Sequence, residues 1–213
     1  MTRTELQTFV NDNLLDGRTM DADLFGILLN LAKNKVEAHR PWVVLRNEDS
    51  SQAIAAASSW NTPYTLPTRF AKPHPVKRGN GAYSPLVLVS GTEVVPLTEI
   101  QWPQRLEYQN TPGYFAINYA AGTFIVTGPT PKAYTAYWSF IKYSPALTDD
   151  ADTWVFDSEY HALLGYLVAI MEKSRDYDEV NLENIKLYSP EAGAILSALV
   201  MADDARQRSM LGV

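Results

Sequence analysis

Apolar positions near the start of the chain recur at helical spacing. Leu6, Phe9, Val10 and Leu14 form the first such run. Thr2 and Glu5 stand at capping-box separation ahead of it, and Gly17 is placed as a stop. A second helix is expected to begin after Thr19 or Asp21. Leu24, Leu28 and Leu31 make one stripe on it, Phe25, Ile27 and Val36 widen the stripe, and Pro41 ends the helix.

From Pro41 to Pro145 the pattern changes. Prolines and glycines recur, with aromatic and β-branched residues between them. Trp42 to Leu45 predicts a short strand, while Thr62 to Pro67 is too rich in proline for a central one. Asn80-Gly81 marks a turn. Leu86 to Val89 and Glu93 to Leu97 flank Ser90-Gly91-Thr92 as a hairpin. Tyr114 to Tyr119 and Thr123 to Thr127 flank Ala120-Ala121-Gly122 as another. Glu99 to Tyr108 predicts a short helix limited by Pro103, and Ala133 to Tyr143 is the clearest strand.

After Pro145 helical spacing returns. Leu147 to Thr153 is an acidic loop, and Ser158 caps a helix expected to reach about Arg175. Leu163, Leu164, Leu167, Val168 and Met171 give that helix a broad apolar face. A further helix is expected from near Asp178. Ser189-Pro190-Glu191 reads as a cap, a first-turn proline and a first-turn acid, so the helix restarts there and runs to about Arg208. The expected fold is therefore α+β: N- and C-terminal helices packed as a helical bundle, with a β-rich insertion of antiparallel hairpins or a small sandwich. The predicted boundaries are residues 1–41 with 146–213 for the helices and 42–145 for the insertion.

Composition narrows the chemistry. The 213 residues are 46% hydrophobic and 20% charged, as in ordinary globular proteins. With no cysteine, disulfides, thiolate catalysis and cysteine-ligated metals are excluded. Met1 to Leu6 carries no secretory signal, and the apolar run Leu163 to Met171 is too short to span a bilayer, so no membrane contact is expected. A net charge of −6 argues against a general DNA binder, although it does not forbid contact with DNA.

No catalytic, cofactor or metal constellation emerges. His39, His74 and His161 lack partners at metal spacing, and His161 reads as a first-turn helix residue at the domain seam. Asp149, Asp150, Asp152, Asp157 and Glu159 are the best hard-cation candidates. The loop has no EF-hand glycine and no bidentate Glu at the right offset, and acids before a helix complement its dipole. Nucleotide-binding glycine fingerprints are missing around Gly79-Asn80-Gly81, as is a Gly-x-Ser-x-Gly elbow. Lys72, Lys77 and Arg78 read as a solvated loop, with a phosphate- or partner-facing role as the alternative. Tyr134, Tyr137, Trp138, Phe140 and Tyr143 read as sheet core or interface, with a carbohydrate platform as the alternative.

Three segments carry a resemblance. They are Tyr64 to Pro73; Thr111 to Asn118 followed by Gly128-Pro-Thr-Pro131; and Tyr143 to Phe156 followed by Tyr160 to Tyr166. In their order, and from Leu6 to about Val200, they resemble the head-to-tail adaptor family of tailed phages, best known from short-tailed ones. The resemblance implies a non-enzymatic virion protein of the tail or neck, assembled in the host cytoplasm. It implies a homo-oligomeric ring, a dodecamer, below the portal protein. Nozzle, tail-tube or fibre proteins would dock on that ring, and double-stranded DNA would pass transiently through it. The helical termini would form the ring body. The Ser189-Pro190 break and the long tail Met201 to Val213 depart from the family pattern.

Interface candidates follow. Trp154, Phe156 and Tyr160 lie where sheet passes to helix and are expected to pin the insertion to the C-terminal helix. Arg206, Arg208, Met210 and Leu211 lie in the tail, whose last residues have too few apolar partners to fold alone and are expected to order on the portal, with a frayed end of no role as the alternative. Other readings are a different neck or tail component, such as a nozzle or gatekeeper, and a carbohydrate-binding module or weak hydrolase on the aromatic β region.

Overall fold

The computed structural model describes residues 1–15, 17–56, 58–77, 83–175 and 179–211, with the backbone alone at 179–183 and 211. Asp16, Arg78, the Gly79-Asn80-Gly81 turn and the expected helix start at Asp178 lie outside the described residues. The chain divides into two compact units, Met1–Val44 with Ser144–Val213, and Leu45–Tyr143.

In the first unit, helix α1 (Arg3–Phe9) starts at a reciprocal capping box between Thr2 and Glu5. A π-helical stretch, Val10–Leu14, continues it. Helix α2 (Ala22–His39) starts where the Asp21 carboxylate accepts from the amides of Asp23 and Leu24. Phe25, Leu28, Leu29, Ala32 and Val36 are buried, whereas Ile27 and Leu31 are 67% and 45% exposed. The expected stripe is thus rotated. Lys33 and Glu37, which hydropathy counts as polar, belong to the inner face.

Helix α3 (Ala162–Lys173) follows a 3-10 turn at Ser158–Tyr160, and helix α4 spans Glu179–Leu211. Helix α4 does not restart at Pro190 but runs through it. An interior proline removes one helical hydrogen bond and crowds the preceding turn. Here Pro190 and Lys186 are both exposed, and the Ser189 hydroxyl donates to the Ile185 carbonyl at 2.7 Å. The tail is likewise helical as far as Leu211, beyond the expected end at Arg208.

The second unit holds strands β1 (Arg46–Ile54), β2 (Tyr64–Thr65), β3 (Phe70–Pro73), β4 (Val76–Lys77) and β5 (Tyr83–Ser84). Strands β6 (Leu86–Ser90), β7 (Glu93–Ile100), β8 (Tyr114–Asn118), β9 (Thr123–Val126) and β10 (Tyr134–Lys142) follow. Among the described residues an eight-stranded sheet runs β1-β10-β6-β7-β8-β9-β2, with β3 also paired to β10, and β4-β5 form a separate pair. Both expected hairpins form, as β6-β7 and β8-β9. Residues Val43–Leu45 make a 3-10 turn where a strand was expected, and the strand begins at Arg46. The short helix expected over Glu99 to Tyr108 is a 3-10 turn at Trp102–Leu106.

These findings correct the expected fold class. The protein is mainly a barrel-like sheet with helices at the termini, and the expected packing of those helices as a bundle is not seen among the described residues. Within the first unit, aromatic residues outside the helices fill part of the core. Trp42 meets Phe156 edge-on at 5.3 Å, and Trp154 lies 4.3 Å from Phe156.

In the second unit, separate antiparallel hairpins give way to one continuous sheet, because the β6-β7 and β8-β9 hairpins are joined by a parallel pairing of β7 with β8. The sheet also curls. Strands β10 and β9 are four places apart, about 19 Å in a flat sheet. Yet Trp138 of β10 and Phe124 of β9 have ring centroids 5.0 Å apart. Ile54, Leu86, Leu97, Phe115, Phe124 and Trp138 share the interior so enclosed.

Strand β1 is the edge of this sheet. It carries Glu48 and Asp49, and its register with β10 shifts between Asp49 and Gln52. Charge and a bulge both discourage stray strand pairing. Gly128 follows β9 at φ +72°, and a Cβ there would stand 2.7 Å from the Pro112 nitrogen. Backbone cannot yield as a side chain can. Gly128→Ala is therefore expected to cost at least about 1–3 kcal/mol, measured as a lower urea midpoint. A midpoint within error of the parent would show that this crossing is loose.

Candidate functional surfaces

The buried polar side chains of the helical unit serve the fold. Lys33 and Glu37 sit one turn apart on α2, both almost fully buried, with Nζ 3.4 Å from the carboxylate. The Glu37 carboxylate accepts from the Trp154 indole N–H at 3.0 Å, from the Ser144 amide at 3.1 Å and from the Ser144 hydroxyl. Lys33 also donates to the Ser144 carbonyl at 3.2 Å. Nearby on α2, the Asn30 side chain brackets Leu147, accepting from its amide and donating to its carbonyl. Together these bonds fix the connector after Ser144 along α2. The only sequence trace of them is the four-residue spacing of Lys33 and Glu37, which on an exposed helix would mark a surface pair.

A second set of contacts ties α4 to the end of α2. Arg40 pairs with Asp203 at 3.2 Å and Asp204 at 2.6 Å, and buried Asp203 accepts from the Val43 amide at 2.8 Å. Neither acid stood out in the sequence.

Trp154, Phe156 and Tyr160 are 3%, 4% and 9% exposed. All three sit in the core of the helical unit. Arg206 pairs with Asp157. The exposed Arg208 reaches back to the Asp204 carbonyl. Met210 is 69% exposed, and the Leu211 side chain lies outside the described residues.

The acidic loop is distributed among separate partners. Asp150 pairs with Arg3 at 2.9 Å, and Asp157 with Arg206. Asp152 accepts from the Thr148 and Asp149 amides at 2.7 and 2.8 Å. Those bonds, that from Asp149 foremost, hold its carboxyl below the usual range. Among the described residues no three His, Asp or Glu side chains converge as a metal-binding set. Buried His161 is hydrogen-bonded to the Phe156 carbonyl through Nε2 at 2.7 Å. In the sheet unit, burial holds the His74 imidazole below its ordinary value, helped by the charges of Arg46 and Lys72. Lys72 is half-buried on β3, Lys77 is exposed, and Arg78 lies outside the described residues.

On β10, Tyr134, Trp138 and Phe140 point into the sheet interior, and Tyr137 is 41% exposed. The alternation is that of a strand with one buried face. Large apolar side chains are also exposed on the helices: Ile27 and Leu31 on α2, Leu187, Met201 and Met210 on α4. Sequence periodicity assigned the first two to the core.

The chain belongs to the SU10 adaptor protein family, whose model matches residues 1–212. That family makes it a phage structural protein and a virion component, of a kind that is normally not enzymatic. No curated protein matches the chain. No described helix is long and apolar enough to cross a membrane.

Proposed function

We propose that the protein is a head-to-tail adaptor whose copies form a ring between the portal and the tail and leave a bore for DNA. The observation that carries this reading is the adaptor-family match over residues 1–212. Two features support it. A net charge of −6 disfavours tight phosphate binding, as a passage for DNA requires. Exposed apolar positions on both α2 and α4 give each copy two different faces, which a closed ring needs. The resemblance to short-tailed phage adaptors makes the expected ring a dodecamer, with nozzle, tail-tube or fibre proteins docking on its far side. The helical tail near Arg208 and Met210 is then the segment offered to the portal.

The carbohydrate-module reading needs a row of exposed rings. Most of the β10 aromatic side chains lie inside the sheet instead. Native mass measurement separates the two. A ring with a single discrete stoichiometry is expected. A monomer that binds glycans would overturn the proposal.

A further inference from the structure

We infer that neighbouring subunits meet head to tail, with the outer face of α2 on one copy lying antiparallel against the outer face of α4 on the next. The inference rests on the ring reading above and names the surfaces that close the ring.

Ile27 and Leu31 on α2 and Met201 on α4 are exposed, and both helices pack on α3, so the two faces lie on different helices of the same unit. On α2 the outward positions near the middle are the large side chains Ile27 and Leu31, one turn apart. On α4 the buried side is Ala192, Leu199 and Asp203. Opposite it, at helical spacing, lies an exposed stripe of Ala194, Ala198, Met201 and Ala205. One face is therefore a ridge and the other, Met201 apart, a shallow groove floored by alanines. Helix pairs pack by that complementarity, at axial distances set by the side chains in contact.

Charge sets the direction. Asp23 and Lys35 flank the apolar part of α2, and Glu191 and Arg208 flank the stripe on α4; all four are exposed. Antiparallel docking brings Asp23 toward Arg208 and Lys35 toward Glu191. Parallel docking would oppose like charges at both ends. The flanking pairs span about 18 Å on α2 and about 26 Å on α4 at 1.5 Å per residue. Long Arg and Lys side chains bridge that difference. A second copy is the occupant these features fit, because one chain carries both halves of the match. Pairing α2 with α2, or α4 with α4, would also satisfy the charges but would stop at a dimer, and it would set ridge on ridge or groove on groove.

Because the chain has no cysteine, introduced cysteines report this contact without background. The double variant Leu31→Cys with Ala198→Cys, mildly oxidised, is expected to give a covalent ladder of dimers, trimers and longer chains ending at the closed ring. Each single variant is expected to stay uncrosslinked. Both positions are exposed, so thermal melts should match the parent and exclude misfolding. Dimers from a single variant would show a symmetric contact and overturn the inference. So would intact rings, seen by sedimentation, that yield no ladder. Absence of rings from the parent chain itself would instead refute the ring reading on which the inference rests.

Discussion

Glu37→Ala is expected to destabilise the helical unit by about 3–5 kcal/mol, as removing one partner of a buried charge pair does. That is a large share of the roughly 5–15 kcal/mol that holds a domain folded. The cost comes from the partners left behind. The Trp154 indole N–H, the Ser144 amide and the Ser144 hydroxyl lose their acceptor, and Lys33 loses this carboxylate. Urea unfolding followed by near-ultraviolet circular dichroism measures it. The pair of substitutions Lys33→Met and Glu37→Leu sharpens the test. An isolated buried pair replaced by apolar side chains is often neutral. Here the double variant should remain clearly destabilised, because Ser144 and Trp154 still lack an acceptor. A neutral double variant would mean that Lys33 and Glu37 act alone.

Trp138→Ala should cost the sheet unit a similar amount, about 3–5 kcal/mol for a buried aromatic ring. Trp138 is 1% exposed and meets Phe70, Phe115 and Phe124 edge-on, at 5.0 to 5.3 Å. It links strands far apart in the sheet order, so its loss removes the packing that keeps the sheet curled. Its indole N–H has no hydrogen-bond partner among the described residues, so packing supplies the whole effect. Trp138→Phe should accordingly be much milder. A loss under about 0.5 kcal/mol for the alanine variant, the usual surface level, would show that the interior is not built around this ring.

Local signals were legible in the sequence wherever one short segment decides the outcome. The Thr2–Glu5 box, the Asp21 cap and the hairpins around Gly91 and Gly122 each depend on neighbours in the chain. Long-range packing was not legible. Ile27 and Leu31 looked like core by helical spacing, which follows apolar positions and passes over the buried polar pair Lys33 and Glu37. Their burial depends on Ser144 and Trp154, more than a hundred residues away. The parallel β7-β8 pairing and the curl of the sheet leave no periodic trace, so hairpins were visible and the barrel-like sheet was not. Pro190 read as a break because the rule against interior proline is local, and an exposed helix face tolerates it. The assembly role was readable only through the resemblance. The surfaces best placed to serve it, on α2 and α4, emerged from burial.

Electron microscopy of the purified chain mixed with the portal protein of the same phage tests the central claim most directly. The account predicts closed rings seated on the tail-side face of the portal, with an axial opening wide enough for duplex DNA. Portals that stay bare, or that bind the chain as scattered monomers without a ring, would contradict it.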